Sequence, residues 1–298
     1  MKNRIALILF LLFILSLQGC AVQTESPENP YRPISYKSEF FENGIVTSSY
    51  LSEYQYDENG FLAGTLEYRD GILNQTYIYE NDTFGNILKV TSISDGKTTV
   101  FDHKLTLDEH GRVLLQEAYS EDVLFYTLAY TYDKHGNMTS ELYTTIEDGA
   151  AEVIRSKEMV YNRNGVHVQT ILNKMDGSYI RYDYENGKEI KASQYNSNDE
   201  LLSYQESTYN DHGQLIKEAS YTCKTEGDSR TSLLSTYSLY TYDETGLVVT
   251  QTNHSVEERP IQTYSVTTYD QYGNKLLQER YMDGQLHWRI TQTFELIP

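Results

Sequence analysis

From residue 36 onward, apolar and polar positions alternate with a period of two, the spacing of side chains on one face of a β-strand. The alternation is clearest over residues 101–107 and 124–132, and valine, threonine and tyrosine dominate these runs. No segment after residue 20 has a convincing helical period. The pattern therefore predicts an all-β protein.

The strand-like runs are separated by a recurring turn in which Asp or Asn is followed three positions later by Gly. The side chain of Asp or Asn accepts hydrogen bonds from nearby backbone N–H groups, and Gly adopts the left-handed conformation. A degenerate ninth copy, Asn196 to Asp199, replaces the glycine with aspartate. The eight complete turns are Asp57/Gly60, Asp82/Gly85, Asp108/Gly111, Asp133/Gly136, Asn162/Gly165, Asn210/Gly213, Asp243/Gly246 and Asp270/Gly273.

A second, shorter set of turns lies between these copies. Asp-Gly flanked by alternating residues predicts a β-hairpin, because the turn needs positive φ angles. The predicted positions are Asp70-Gly71, Asp95-Gly96, Asp148-Gly149, Asp176-Gly177, Gly227-Asp228 and Asp283-Gly284. Two strands therefore make one repeat of about 25 residues.

We expect these tandem β-hairpins to form one continuous antiparallel sheet, twisted or spiralled and open at its edges, preceded by a signal helix. The alternative is closure into a propeller, although a two-strand period argues against four-stranded blades.

The motif Tyr-x-Tyr-Asp-x-x-Gly resembles the YD repeat of RHS-type proteins. The resemblance extends from about Tyr54 to Tyr281. It implies a long, spiralling antiparallel sheet, which in the giant toxins of that family forms a hollow shell around a cargo. This chain is much too short to close such a shell, so we expect the sheet architecture without encapsulation.

The N-terminus combines Lys2 and Arg4 with an apolar run over residues 5–15, as in an export signal. The following Leu17, Gln18, Gly19 and Cys20 resemble the lipobox of bacterial lipoproteins. The resemblance implies cleavage before Cys20 and acylation of its thiol; the alternative is an ordinary secretory signal with an incidental cysteine. The predicted organisation is a signal peptide at 1–19, a lipidated cysteine and Pro-rich linker at 20–35, and a β-repeat domain at 36–298.

The net charge of the chain excludes some classes of binding partner. The 298 residues include 43 acidic and 24 basic side chains, and loss of Lys2 and Arg4 gives a mature charge of −21. Such a chain lacks the basic surface of a nucleic-acid binder and repels anionic lipid headgroups. The acyl chains on Cys20 are therefore expected to hold it in the cell envelope. The expected place is the outer face of the cytoplasmic membrane or, where the cell has two membranes, the outer membrane.

Candidate catalytic and metal-binding residues coincide with the repeat. His110, His135 and His212 precede turn glycines, but other copies carry different residues in that position. The turn aspartates do not match a calcium loop, and no nucleophile elbow, phosphate loop or zinc motif occurs. We therefore predict no cofactor, no metal site and no catalytic residues. Cys223 is expected to be a buried or free thiol.

Tyrosines supply the most suggestive functional pattern. Pairs two positions apart share one strand face and would form an aromatic ladder. Packing within the sheet explains such a ladder, and an exposed platform for a sugar or a partner is the functional interpretation. Our first hypothesis is a surface protein that binds an envelope or host protein; the alternatives are a polysaccharide-binding lipoprotein and an enzyme with a site in a sheet groove. The candidate platform residues are Tyr54, Tyr56, Tyr130, Tyr132, Tyr240 and Tyr242.

Overall fold

The computed structural model describes residues 30–147, 149–226, 229–256 and 263–297. The described part of the chain contains twenty β-strands. Their bounds are β1 Tyr31–Glu42, β2 Ile45–Tyr56, β3 Leu62–Arg69, β4 Ile72–Asn81, β5 Ile87–Ser94, β6 Lys97–Leu107, β7 Val113–Ser120, β8 Val123–Tyr132, β9 Met138–Glu147, β10 Ala150–Tyr161, β11 His167–Lys174, β12 Tyr179–Glu185, β13 Lys188–Tyr195, β14 Leu201–Tyr209, β15 Leu215–Glu226, β16 Ser229–Tyr242, β17 Val248–Ser255, β18 Thr263–Tyr269, β19 Lys275–Met282 and β20 Gln285–Leu296.

Each strand pairs antiparallel with the next one along the chain, and β20 also pairs with β1. The expected open sheet is therefore wrong: the twenty strands form a closed barrel. Ser35 Oγ and Thr293 Oγ1 lie 2.6 Å apart across the closing pair. Closure removes the two exposed edges that an open sheet would leave for aggregation. The expected signal helix lies outside the described residues, which contain no helix.

The chain divides into two compact units. The larger one, Pro33–Phe294, holds the repeats. The smaller one combines the N-terminal residues through Arg32 with Glu295–Pro298. Within its described residues, Arg32 Nε donates to Glu295 Oε1 at 2.8 Å, and the backbone N–H of Ile297 donates to the carbonyl of Pro30 at 2.6 Å. The start of β1 at Tyr31 places strand structure in residues 31–35, which the sequence suggests to be linker.

Turns of two kinds alternate between the two rims of the sheet. The long-turn rim carries the five-residue loops that begin at the repeat Asp or Asn, and the short-turn rim carries most two-residue hairpins. Around β11–β14 the two turn types swap places. The five-residue loops at 174–178 and 196–200 lie on the short-turn rim, and the two-residue turn Asn186-Gly187 lies on the long-turn rim. The degenerate copy at Asn196 is therefore on the opposite rim from the eight complete ones.

Sequence analysis missed three of the two-residue turns. Asn43-Gly44, Glu121-Asp122 and Asn186-Gly187 all have positive φ angles at both positions. Two of them contain the Asn-Gly signal, and the Glu121-Asp122 turn forms without a glycine. Asp148 and the Gly227-Asp228 pair lie outside the described residues.

The sheet has one buried face, and the pairing register fixes which side chains share it. Residues directly opposite each other on paired strands point to the same face. The register links Thr65 to Tyr77 and Val90 to Phe101, and all four side chains are buried. We call this the inner face and its reverse the outer face. No helix in the described part of the chain is long and apolar enough to cross a membrane.

Candidate interaction surface

The repeat aspartates are held inside their own turns. In the turn at Asp133, Oδ1 accepts the backbone N–H groups of His135 at 2.8 Å and Asn137 at 2.9 Å, and Oδ2 accepts the side-chain amide of Asn137 at 3.0 Å. The hydrogen bond from the Asn137 side chain is the main reason why the pKa of Asp133 is lowered. In the other complete turns except that at Asp243, Oδ1 of the Asp or Asn likewise accepts the backbone N–H groups two and four positions later. The Asp243 loop has one more residue, and Asp243 Oδ1 accepts the N–H groups of Leu247 and Val248. These carboxylates are engaged as turn residues.

The glycines of the eight complete turns share one backbone geometry. Each has a φ between 73° and 88°, and its N–H donates to the carbonyl of the Asp or Asn that begins the turn at 2.8–3.2 Å. In the degenerate copy, Asp199 makes the same hydrogen bond to Asn196 with a φ of 63°. The eight glycines are Gly60, Gly85, Gly111, Gly136, Gly165, Gly213, Gly246 and Gly273.

The sequence presents these eight glycines as equivalent turn residues, but their surroundings differ. At some of them the preceding long turn packs on the glycine: a Cβ on Gly85 would be 2.6 Å from the Phe61 ring, and one on Gly136 would be 3.1 Å from Arg112 Nη1, the end of a flexible side chain. The left-handed φ of 84° at Gly85 disfavours any other residue in addition. These glycines therefore serve both the turn and the contact between repeats.

Five of the remaining glycines fall into two groups. A Cβ on Gly213 would meet the Lys188 side chain, whose Nζ donates to the carbonyl of Gly213 at 2.8 Å, and the Gln214 side chain lies near Gly246. Flexible side chains such as these can move away from an added methyl group. Open space surrounds the Cβ position of three others, which therefore serve the turn alone: Gly111, Gly165 and Gly273.

The three turn histidines lie on the long-turn rim and are exposed. His110 and His135 flank a shallow groove that also contains Arg112 and Lys134. Within the described residues, no group of three or more histidine, cysteine or acidic side chains is placed to hold a metal ion. The Cys223 thiol is half-buried and lies 3.5 Å from Ser232 Oγ.

The second tyrosine of the motif binds the preceding repeat. In five copies its hydroxyl donates to a backbone carbonyl 19 to 27 residues earlier in the chain. Two complete turns lack this tyrosine: before Asp82, Asn81 Nδ2 donates instead to Leu62 O at 2.8 Å, and before Asp108 the residue is Leu107. We call this hydrogen bond the repeat latch. The donor–acceptor pairs are Tyr56 to Pro33 at 2.7 Å, Tyr132 to Val113 at 3.0 Å, Tyr161 to Met138 at 3.0 Å, Tyr209 to Glu189 at 2.8 Å and Tyr242 to Leu215 at 2.8 Å.

The first tyrosine of the motif lies on the inner face. Tyr54, Tyr130 and Tyr240 are half-buried, and burial is the main reason why their pKa values are raised. Glu218 accepts a short hydrogen bond from Tyr240. Together with the latches Tyr56, Tyr132 and Tyr242, all six candidate platform residues are engaged within the sheet. Their contacts favour the packing interpretation over an exposed platform.

A different set of aromatic residues stacks on the outer face. Four cross-strand pairs have ring centroids 4.5–4.7 Å apart and planes within 14° of parallel. Cations lie over several of these rings, with Lys191 Nζ 4.1 Å from the centroid of Tyr204. No simple sequence signal marks the pairs, because their positions depend on the strand register. They are Tyr179/Tyr195, Tyr204/Tyr221, Tyr237/His254 and Tyr264/Tyr281.

The inner face changes chemistry along the chain. Over β3–β9 it is tightly packed; we call this part the packed face, and its apolar members are Tyr77, Tyr79, Val90, Phe101, Ala118, Tyr126, Leu128 and Tyr143. Over β14–β18 it is a hydrogen-bonded array that we call the polar face. Its members are Gln205, Glu218, Ser238, Tyr240, Gln251, Asn253, Thr263 and Ser265.

Large apolar side chains are exposed at the short-turn rim. Ile45, Ile72 and Val123 each follow a two-residue turn and are 70%, 74% and 67% exposed. Leu73 and Val46, the next residues of two of these strands, are 52% and 44% exposed. The sequence-based search did not single out these positions, although a large apolar residue directly after a hairpin turn is a readable signal. The lipobox residues Leu17, Gln18, Gly19 and Cys20 lie outside the described residues.

Comparison with known proteins gives no assignment. No protein-family model and no curated protein matches the chain. The chain is similar to the crystal structure of TcdB2-TccC3 without its hypervariable C-terminal region, with 13% identity and a TM-score of 0.36 over 85% of this chain and 18% of that one. It is also similar to the Tc holotoxin pore of Photorhabdus luminescens, with 12% identity and a TM-score of 0.33 over 86% of this chain and 19% of that one.

A porin-like protein from Bacteroides uniformis has 8% identity and a TM-score of 0.30, over 65% of this chain and 94% of its own. The present chain spans less than a fifth of the two toxin structures, which contain YD-type repeats. At these TM-scores the similarities carry no argument about fold or function.

Proposed function

We propose that this protein is a YD-repeat-type lipoprotein of the cell envelope that binds a protein partner and has no catalytic role. The observation that carries the proposal is the exposure of Ile45, Ile72 and Val123 at one rim of the sheet. Exposed apolar side chains that lie close together are typical of interaction sites. The turn carboxylates and the motif tyrosines, the first candidates for chemistry, are engaged in turns and latches.

The chain enters the repeat unit at the rim opposite these apolar side chains. Pro33, the first residue of that unit, accepts the latch hydrogen bond of Tyr56, which directly precedes the long turn at Asp57. The point at which the chain enters the repeat unit therefore leaves the short-turn rim available to a partner.

The anchor and the partner are tested separately. Cells expressing the full chain are fed an alkyne fatty acid; we expect labelling of the protein and its loss in Cys20→Ala. Cross-linking in intact cells, followed by purification of the full chain, is expected to recover a partner protein. The yield of this cross-linked adduct should saturate as the partner concentration rises, and an excess of the unlabelled full chain should reduce it. Labelling that persists in Cys20→Ala would refute the anchor, and the absence of any saturable protein adduct would refute the partner.

A second candidate, polysaccharide binding, is favoured by the polar face. Gln251 Nε2 donates to Asn253 Oδ1 at 3.0 Å, and Asn253 Nδ2 donates to Thr263 Oγ1 at 3.1 Å, so amide groups are held in fixed orientations. Oriented amides are suited to hydroxyl-rich ligands. Titration with neutral oligosaccharides, followed by NMR, is expected to shift resonances of these amides if this function holds. A titration with no shifts up to millimolar ligand would eliminate it.

A further inference from the structure

Five exposed apolar residues lie at three hairpin tips of the short-turn rim. We call Ile45, Val46, Ile72, Leu73 and Val123 the tip patch; they occupy the tips of the β1–β2, β3–β4 and β7–β8 hairpins. The two-residue turns place each first strand residue at the end of the sheet.

Acidic side chains accompany the patch. Asp70 precedes Ile72 in one tip, and Glu121 and Asp122 directly precede Val123 in another, all of them exposed. Glu42 and Asp95 add exposed carboxylates along the β1–β8 part of the rim, where Arg69 and Lys97 are exposed cations. This part of the rim therefore combines apolar side chains with more negative than positive groups.

The spacing of the tips sets the length of a matching partner. Neighbouring strands lie about 4.8 Å apart, so the β1–β2 and β3–β4 tips are about 10 Å apart along the rim. The β7–β8 tip lies about 20 Å further along, beyond the β5–β6 tip, where Lys97 and Thr98 take the place of apolar residues. An α-helix of about 20 residues has the combined length, and seven residues rise about 10.5 Å, so the three tips match steps of one and two heptads. A helix with apolar residues at heptad spacing and basic residues beside them would meet both features of the rim.

We propose that the tip patch docks a basic amphipathic helix of a partner protein. This inference rests on the proposed function and adds the surface and the chemistry of the partner. Charge selects this occupant: the mature chain carries −21, so a second copy would bring acid against acid. Anionic lipid headgroups would be repelled in the same way.

The test uses a synthetic helix of about 20 residues with Leu at heptad spacing and Lys on the flanks, together with a scrambled peptide and a version with Glu in place of Lys. Binding to the full chain carrying Cys20→Ser is measured by fluorescence anisotropy. The test variant is Ile45→Ser/Ile72→Ser/Val123→Ser. The matched control is Leu107→Ser/Phe84→Ser/Val166→Ser, which removes exposed apolar side chains from or near the long-turn rim.

We expect the Lys helix to bind at least tenfold more weakly to the tip variant and unchanged to the control, and the other two peptides to bind weakly or not at all. Replacing Asp70, Glu121 and Asp122 with their amides is expected to flatten the salt dependence of binding. Equal loss in both triple variants, or equal binding of the scrambled peptide, would overturn the proposal. Circular dichroism confirms that each variant is folded.

Two further outcomes would replace the occupant. A dimer that dissociates in the tip variant, seen by analytical ultracentrifugation, would assign the patch to a second copy. Sedimentation with anionic vesicles that is lost in the same variant would assign it to a membrane. A partner recovered from cells that still binds the tip variant would refute this inference while leaving the proposed function intact.

Discussion

The packed face and the polar face occupy the same side of one sheet, yet they are stabilised differently. Tyr77 and Leu128 are 1% and 3% exposed and contribute by packing. On the polar face, Gln205 Nε2 donates to Glu218 Oε1 at 2.9 Å, and Ser238 Oγ donates to Asn253 Oδ1 at 2.7 Å. One half of the sheet is therefore held mainly by apolar burial, and the other by side-chain hydrogen bonds.

Both halves use the same turns and the same repeat latch. Tyr132 in the first half and Tyr242 in the second donate to backbone carbonyls at 3.0 Å and 2.8 Å. The repeated motif thus specifies the backbone of the sheet, while the inner face varies independently. Equivalent substitutions in the two halves should therefore differ in their cost to stability.

The largest expected difference comes from removing an inner tyrosine. Tyr77→Ala should lower the free energy of unfolding by about 3–5 kcal/mol, because it opens a cavity in the packed face. Tyr240→Ala should cost about 1–2 kcal/mol, because the half-buried ring mainly loses its hydrogen bond to Glu218. Urea unfolding of both variants measures the difference. Equal costs would show that the two halves are held in the same way.

Alanine substitutions at turn glycines test whether the contact between neighbouring repeats also differs between the two halves of the sheet. Gly246→Ala should cost about 1–2 kcal/mol for the left-handed backbone, because the nearby Gln214 side chain is flexible. Gly85→Ala should cost roughly 1–3 kcal/mol more, since the added methyl meets the Phe61 ring. Thermal unfolding of the variants, with Phe61→Ala as the rescuing background for Gly85→Ala, measures both effects. If Phe61→Ala does not reduce the cost at Gly85, the ring contact is irrelevant.

Replacing either of two inner glutamates with glutamine is expected to change the free energy of unfolding, with opposite signs at Glu67 and Glu218. Glu67 is 4% exposed among Tyr50, Tyr54, Tyr77 and Tyr79, and burial raises its pKa. The folded state therefore binds this proton more tightly than the unfolded state, so stability is present below the unfolded pKa and is lost as pH rises through the folded one. Glu67→Gln should remove that loss and make the protein more stable at neutral pH.

Glu218→Gln is the matched substitution on the polar face. Glu218 accepts hydrogen bonds from both Gln205 and Tyr240, and a glutamine has one fewer accepting oxygen. Glu218→Gln should therefore lower the free energy of unfolding by about 1–3 kcal/mol. Unfolding of Glu67→Gln and Glu218→Gln between pH 5 and 9 shows whether each substitution raises or lowers the free energy of unfolding. Destabilisation by Glu67→Gln at neutral pH would contradict the account of the buried acid.

The smallest expected effect concerns the outer face. Tyr264 and Tyr281 stack at 4.7 Å on β18 and β19. A double-mutant cycle of Tyr264→Ala and Tyr281→Ala should give a coupling of about 0.5–1.5 kcal/mol. A coupling near zero would show that the outer stacks do not help to hold the second half of the sheet.

The turns and the strand alternation could be predicted from the sequence, because interactions between residues close together in the chain determine them. The turn at Asp133 and the alternation over residues 124–132 are readable, since side-chain acceptors, glycine conformation and period-two burial act within a few residues. The pairing of β1 with β20 is not readable, because it joins residues 258 apart through ordinary backbone hydrogen bonds. The stacked pair Tyr237/His254 and the tip patch likewise depend on register and on strand length.

Closure of the sheet is the central claim, and a disulfide tests it most directly. Ser35→Cys and Thr293→Cys are introduced into the full chain with Cys20 and Cys223 replaced by Ser. Ser203→Cys/Thr222→Cys, a paired position of β14 and β15, serves as the positive control. We predict that both pairs oxidise readily, because the Ser35 and Thr293 hydroxyl oxygens lie 2.6 Å apart and Ser203 and Thr222 are directly paired, which brings each pair of side chains within reach of a disulfide. A cross-link in the control with none between positions 35 and 293 would contradict the closed sheet.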